Sequence, residues 1–195
     1  NYISPHINLG IIFQELAEDE KAKDCYEKAI KIEPNYTIAH NNLGNALNAL
    51  DRHEEAISSF NTAIELKSGF VEANYNLGLA LHALGRYGES VESYHKAIEL
   101  KPDHIKAYNN LGTTLVELGK SQAAMTSFNK AVKLNPGYAQ AYSNLGNALN
   151  HLGRHEEAIA NFNKAIELKP SFSEAYSNLG KTFRELENLD KAAIG

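Results

Sequence analysis

The stretch AQAYSNLGNALNHLGRHEEAIANFNKAIELKPSF, residues 139–172, decides the fold of this chain. Its apolar residues Tyr142, Leu145, Leu149 and Leu152 recur at the spacing that puts them on one face of a 3.6-residue helix. Ala158, Phe162, Ala165, Ile166 and Leu168 line the face of a second helix in the same way. Between the two faces stands Gly153, which can take the left-handed conformation that ends a helix. Pro170 stops the second helix, because proline lacks the amide proton that helix continuation requires. The segment therefore predicts two antiparallel helices joined by a tight turn.

The same pattern runs through the whole chain at a period of 34 residues. Counting residue 139 as position 1 of a repeat, position 8 is Gly10, Gly44, Gly78, Gly112, Gly146 and Gly180. Position 20 is small in every copy, from Ala22 to Ala192, and position 24 is aromatic: Tyr26, Phe60, Tyr94, Phe128 and Phe162. Complete repeats span 3–36, 37–70, 71–104, 105–138 and 139–172, and a truncated sixth runs over 173–195. Repeats 2 and 5 agree at 23 of 34 positions, which points to duplication of a block. The last repeat ends within its second helix with no polar cap, and such an end exposes apolar surface. The chain reads as a fragment of a longer protein.

This alternation of large, small and aromatic positions with a closing proline resembles the tetratricopeptide repeat family. The resemblance implies an all-α fold, a right-handed superhelical solenoid of antiparallel helix-turn-helix repeats. A single hairpin cannot cover its own apolar face, so stability must come from stacking. The small residues at positions 8 and 20 let helix backbones approach, and the aromatic at position 24 is expected to fill the gap to the neighbouring repeat. Turns carrying Ala17 and Asp51 in place of glycine are expected to be looser than the others.

In a stack of this kind the first helices form a concave wall lined by positions 2, 5, 6, 9, 12 and 13. Position 6 is asparagine throughout: Asn8, Asn42, Asn76, Asn110, Asn144 and Asn178. Asn45 and Asn147 add amides at position 9, Asn48 and Asn150 at position 12, and Asn41 and Asn109 at position 5. An asparagine amide both donates and accepts, so it can pair with a peptide group's N–H and C=O together. With first helices about 10 Å apart and an extended peptide rising about 3.3 Å per residue, one asparagine meets roughly every third peptide unit. The predicted ligand is a protein or peptide segment lying in the groove. The asparagines could equally bond neighbouring helices.

A similar asparagine ladder holds substrate peptides in the repeats of the nucleocytoplasmic O-linked N-acetylglucosamine transferases, so this resemblance implies a substrate-recruiting arm as an alternative. Nothing in the chain resembles their catalytic domain. A second precedent in the family, a clamp for acidic carboxyl termini, needs a lysine at position 5. That position holds Ile7, Asn41, Tyr75, Asn109, Ser143 and Ser177.

Other chemistries find no support in the residues. Net charge is -5, and the Lys and Arg residues form no stripe, so neither nucleic acid nor an anionic membrane surface is an expected partner. No apolar run reaches the roughly 18 residues of a membrane span, and the start, NYISPHINLG, is not a secretory leader. With scarce cysteine this favours the cytoplasm. Cys25 is the single cysteine, so no disulfide and no multi-cysteine metal site can form. His151 and His155 flank the turn glycine and do not share a helical face, and the histidines read as solvated surface groups. Glu54-Glu55 and Glu156-Glu157 sit in the first turn of a second helix, where negative charge suits the helix dipole. No catalytic constellation and no cofactor motif occurs, which predicts an interaction scaffold. Self-association through the uncapped ends is a further expectation.

Overall fold

Residues 3–194 are described by a computed structural model, with side chains described from Ile3 to Leu189. Ala192, assigned above to position 20, lies outside the described side chains, as does the rest of the truncated repeat to Gly195. Among the described residues the secondary structure is helical and no strand occurs. The chain divides into two compact units, Asn1–Pro102 and Asp103–Gly195.

The N-terminal unit holds α1 (Ser4–Glu15), α2 (Asp19–Ile32), α3 (Thr37–Ala49), α4 (His53–Leu66), α5 (Val71–Ala83) and α6 (Tyr87–Leu100). Within each repeat the two helices pack as a hairpin, and α2 packs on α3 as α4 does on α5. The C-terminal unit holds α7 (Ile105–Glu117), α8 (Ser121–Leu134), α9 (Ala139–His151), α10 (His155–Leu168) and α11 (Ser173–Ile194). Here α7 pairs with α8 and α9 with α10, and α8 on α9 and α10 on α11 join the pairs.

Glycine at position 8 and the aromatic at position 24 fit each other as a set. A Cβ built on Gly112 would stand 2.5 Å from Phe128 Cε1, closer than real Cβ atoms come to a neighbour. Gly10, Gly44, Gly78 and Gly146 meet Tyr26, Phe60, Tyr94 and Phe162 in the same way. Each ring thus lies on the first helix of its own repeat, and it also shares a buried cluster with the next repeat, Tyr26 with Ala39 and Ala46 and Phe60 with Ala80 and Leu81. The rings are fully buried together with the alanines at positions 20 and 27. Gly180 is the exception, with nothing within 4 Å of an added Cβ.

The turns are uniform, contrary to the looseness expected of two of them. Ala17 (φ 56°) and Asp51 (φ 58°) adopt the left-handed backbone of Gly85, Gly119 and Gly153 (φ 70–72°). In each turn the amide one residue later bonds back to the helix, as from Glu18 to Phe13 (2.8 Å), Arg52 to Leu47 (2.9 Å) and Arg154 to Leu149 (3.0 Å). The left-handed residue itself bonds to the carbonyl three back, as Ala17 does to Gln14 at 3.0 Å. This double closure satisfies carbonyls that the helix end leaves open. It outweighs the cost of about 1–2 kcal/mol for a left-handed alanine, so the turn keeps its form. The sixth repeat has Glu187 at that position and a helix-forming run around it, and α11 continues straight through as one helix.

Arginines just past three turns grip carboxylates three residues on. Arg52, Arg86 and Arg154 bond Glu55, Glu89 and Glu157 through two nitrogens each, at 2.6–2.8 Å. These hydrogen bonds hold the three carboxyls below their ordinary range. The pairs are solvent-exposed, where such bridges contribute little to stability. They tie up the charges of this edge.

Tyr26 is buried, and its hydroxyl donates to Gln14 Oε1 at 2.5 Å. Burial, then the neighbouring Cys25 and Asp19, pushes its pKa up to about 12 from an ordinary 10. A raised folded pKa means the neutral ring's contribution is complete below pH 10 and is lost as pH rises toward about 12. Urea unfolding followed from neutral to strongly alkaline pH should show that loss, and the Tyr26→Phe variant should lose less over the same range. Equal losses in the two proteins would exclude Tyr26 as the source.

Candidate functional site

The amides predicted to line one wall divide into two sets. Asn41 and Asn109, at position 5, are only 6% and 5% exposed and lie between first helices instead of on the open face. Ser143, also at position 5, is fully buried. Position 5 therefore leaves the predicted wall: it sits one residue toward the next helix and is covered by it. From there each asparagine bridges two position-6 amides. Asn41 donates to Asn42 Oδ1 (3.4 Å) and accepts from Asn76 Nδ2 (3.2 Å). Asn109 donates to Asn110 Oδ1 (3.2 Å) and accepts from Asn144 Nδ2 (2.9 Å). Asn144 also accepts from Gln140 at 3.1 Å. Four members of the position-6 row, Asn42, Asn76, Asn110 and Asn144, are thus tied into the stacking of first helices.

Four further predicted amides, at positions 6 and 9, are uncommitted. Asn8, Asn45, Asn147 and Asn178 have no side-chain hydrogen-bond partner among the described residues. Asn178 illustrates why. By the pattern of Asn76 and Asn144 it would donate to position 5 of the preceding repeat, but that residue is Ser143, whose side chain is shorter. The Ser143 hydroxyl is left without a partner, and the Asn178 amide stays available.

In the C-terminal unit the first-helix face holds a depression of about 450 Å³. Asn144, Asn147, Asn150 and His151 of α9 run along its middle, and Phe128 closes part of its floor. Thr113, Val116 and Glu117 of α7 form one flank. Glu174, Asn178, Lys181 and Glu185 of α11 form the other. These are positions 2, 6, 9, 12 and 13 of three repeats. The depression brings together Asn144, Asn147 and Asn178 from the predicted set. Asn8, Asn42, Asn45 and Asn76 belong to the N-terminal unit, and Asn110 does not line the depression.

The charged members of this lining were not singled out in the sequence, although their repeat positions would have identified them. Glu117 and Glu174 are exposed and have no ion-pair partner among the described residues, and the same is true of Lys181. Glu185 has the His155 ring 3.8 Å away.

His53 and His155 are not the solvated groups expected from sequence. Their side chains are 19% and 14% exposed. Nδ1 of His53 lies 2.7 Å from Asn48 Oδ1, and Nδ1 of His155 lies 3.3 Å from Asn150 Oδ1. Each ring folds back across its turn because position 12 offers an amide there. Asn150 is further fixed by donating to Thr182 Oγ1 at 2.6 Å. Asn48 and Asn150 therefore support the turn between hairpin helices. Among the described residues no group of His, Cys, Asp and Glu is placed to hold a metal ion, and no helix is long and apolar enough to cross a membrane.

Comparison with known families gives matches to profiles described as Tetratricopeptide repeat over residues 4–36, 25–58, 69–136 and 139–172, and as TPR repeat over 44–85. No curated protein matches the sequence. Among solved structures, the chain is similar to YrrB, described as a TPR protein with an unusual peptide-binding site. Identity is 25%, coverage is 89% of each chain, and the TM-score is 0.74. It is also similar to MamA, at 25% identity over 85% of this chain and 96% of that one, with a TM-score of 0.77. A thermophilic TPR protein of Thermus thermophilus shares the fold at 20% identity, covering 93% and 98% of the two chains with a TM-score of 0.72.

Proposed function

The chain belongs to the tetratricopeptide repeat family, and on that premise we propose that it is a protein-interaction scaffold whose first-helix face holds an extended segment of another protein. One observation carries this reading. Asn147 and Asn178 stand in the depression of the C-terminal unit with their amides unused by the fold. A polar group kept in a recess without an internal partner is free to exchange water for a ligand's peptide groups. Such an exchange contributes about 0.5–1.5 kcal/mol per hydrogen bond. The neighbouring Asn144, fixed by Asn109 and Gln140, keeps the row in register without ordering cost at binding. YrrB, one of the similar structures, is itself described as having a peptide-binding site, which favours the same reading here.

The test is fluorescence anisotropy with a labelled pool of random-sequence peptides. Changing Asn147→Ala and Asn178→Ala together should weaken binding about tenfold or more, from the loss of at least two ligand hydrogen bonds. Neither side chain supports a neighbour, so helix content by circular dichroism should not change. Full affinity in the folded double variant would remove these amides from the binding face.

A further inference from the structure

Resting on that reading, we propose that the depression of the C-terminal unit selects peptide segments carrying two basic side chains about seven residues apart. Several of the molecule's cations are paired with carboxylates outside the depression. Along the turn edge, Arg52, Arg86 and Arg154 are each bound to a glutamate, and Lys96 and Lys164 pair with Glu99 and Glu167. Within the depression the accounting is different. Glu117 and Glu174 have no partner among the described residues, and Glu185 faces only a histidine. Among the described residues Lys181 is the one lysine or arginine in the lining, and it is not paired either. Three carboxylates against one ammonium leave the recess acidic. Charges of one sign lining a single recess add to one field there. A ligand of opposite charge is therefore favoured there, and an acidic segment is disfavoured.

The positions of the two unpaired carboxylates set the spacing. Glu117 closes the C-terminal end of α7, and Glu174 opens the N-terminal end of α11, with α9 between them. All three are first helices of their hairpins and run in one direction. The two carboxylates are offset by 11 repeat positions along the helix axis, about 16 Å. Two interhelix steps across the face add about 20 Å sideways. The diagonal is roughly 25 Å, the length of seven to eight residues of extended chain. A peptide crossing on that diagonal passes over Asn144 and Asn147 midway, where its backbone meets the amide row. Lysine or arginine near each end then reaches a carboxylate that nothing else neutralises.

The experiment uses the full chain and four labelled decapeptide pools in fluorescence anisotropy. One pool has arginine fixed at its second and ninth positions, one has arginine at two adjacent central positions, one has glutamate at the second and ninth, and one has serine there. The expected order is the spaced-arginine pool tightest and the glutamate pool weakest, with the difference shrinking as salt is raised. Glu117→Gln and Glu174→Gln should each weaken the spaced-arginine pool by about twofold to fivefold, the range for exposed ion pairs, and more than they weaken the serine pool; an equal loss on both pools overturns the charge preference. Both side chains are exposed and unpaired, so the variants should keep the fold, which circular dichroism checks. Equal binding of all pools overturns the charge preference but leaves the groove standing. Equal binding of the two arginine pools overturns the diagonal spacing. Binding by none of them overturns the groove reading itself, and the preference falls with it.

Discussion

Replacing Gly112 by leucine is expected to destabilise the C-terminal unit by about 3 kcal/mol or more, the upper end of what overpacking costs. Even the first added carbon would lie 2.5 Å from Cε1 of Phe128 and 2.7 Å from its Cζ. That ring is 1% exposed and flanked by Ala124 and Ala131, so it cannot swing into solvent to make room. The remaining relief is to separate α7 from α8, which loosens the hairpin and disturbs the flank that carries Thr113 and Glu117. Gly180 is the internal control, because its surroundings are open. There the change to alanine removes the backbone freedom that glycine loses in a helix and should stabilise by about 0.5–1 kcal/mol. Two glycines at the same repeat position should therefore respond with opposite sign. Urea denaturation of Gly112→Leu, Gly112→Ala and Gly180→Ala measures this directly. A destabilisation shared equally by Gly112→Ala and Gly180→Ala would show that the ring contact does not matter.

The contrast between these glycines also marks how far sequence reasoning reaches. A 34-residue beat with a glycine, a small residue and an aromatic at fixed places dictates helical hairpins, because only that arrangement buries each apolar stripe. How closely the aromatic seats on its own hairpin is less visible: its ring lies where a Cβ on the glycine of its own repeat would stand, while it shares a buried cluster with the next repeat. The turns show another limit. Alanine at residue 17 disfavours a left-handed backbone locally, but the bonds of Ala17 and Glu18 back to Gln14 and Phe13 impose it. A single residue's preference of about 1–2 kcal/mol yields to the closure of a whole helix end.

The candidate site was half legible. Helical periodicity places position 6 next to the open face, and the run of asparagines there is plain in the sequence. Periodicity does not say which amides the fold consumes. That depends on position 5 of the preceding repeat: Asn41 and Asn109 reach Asn76 and Asn144, and Ser143 leaves Asn178 unengaged. The unpaired carboxylates escaped notice for a related reason. Glu117 and Glu174 are 57 residues apart in sequence, and only the stacking of α7, α9 and α11 brings them to one recess.

Phe162→Ala should cost about 3–5 kcal/mol, the range for removing a buried phenylalanine ring. The ring is completely inaccessible and lies against Gly146 of α9, with Ala158 and Ala165 also sealed from solvent on α10. Gly146 offers no side chain to fill the void that the ring leaves against α9. The neighbouring helix adds a functional consequence. Gly146 stands between Asn144 and Asn147, so a shift of α9 toward the void displaces both of these amides from their register. Tyr176→Ala is the matched comparison: an aromatic of the same unit that is 50% exposed, whose loss should cost well under 1 kcal/mol. Thermal or urea unfolding of the two variants should differ by several-fold in destabilisation. At temperatures where Phe162→Ala remains folded, its peptide affinity should also fall although no ligand contact has been removed. A folded Phe162→Ala protein with undiminished binding would show that α9 holds its amides in place without the ring beneath it.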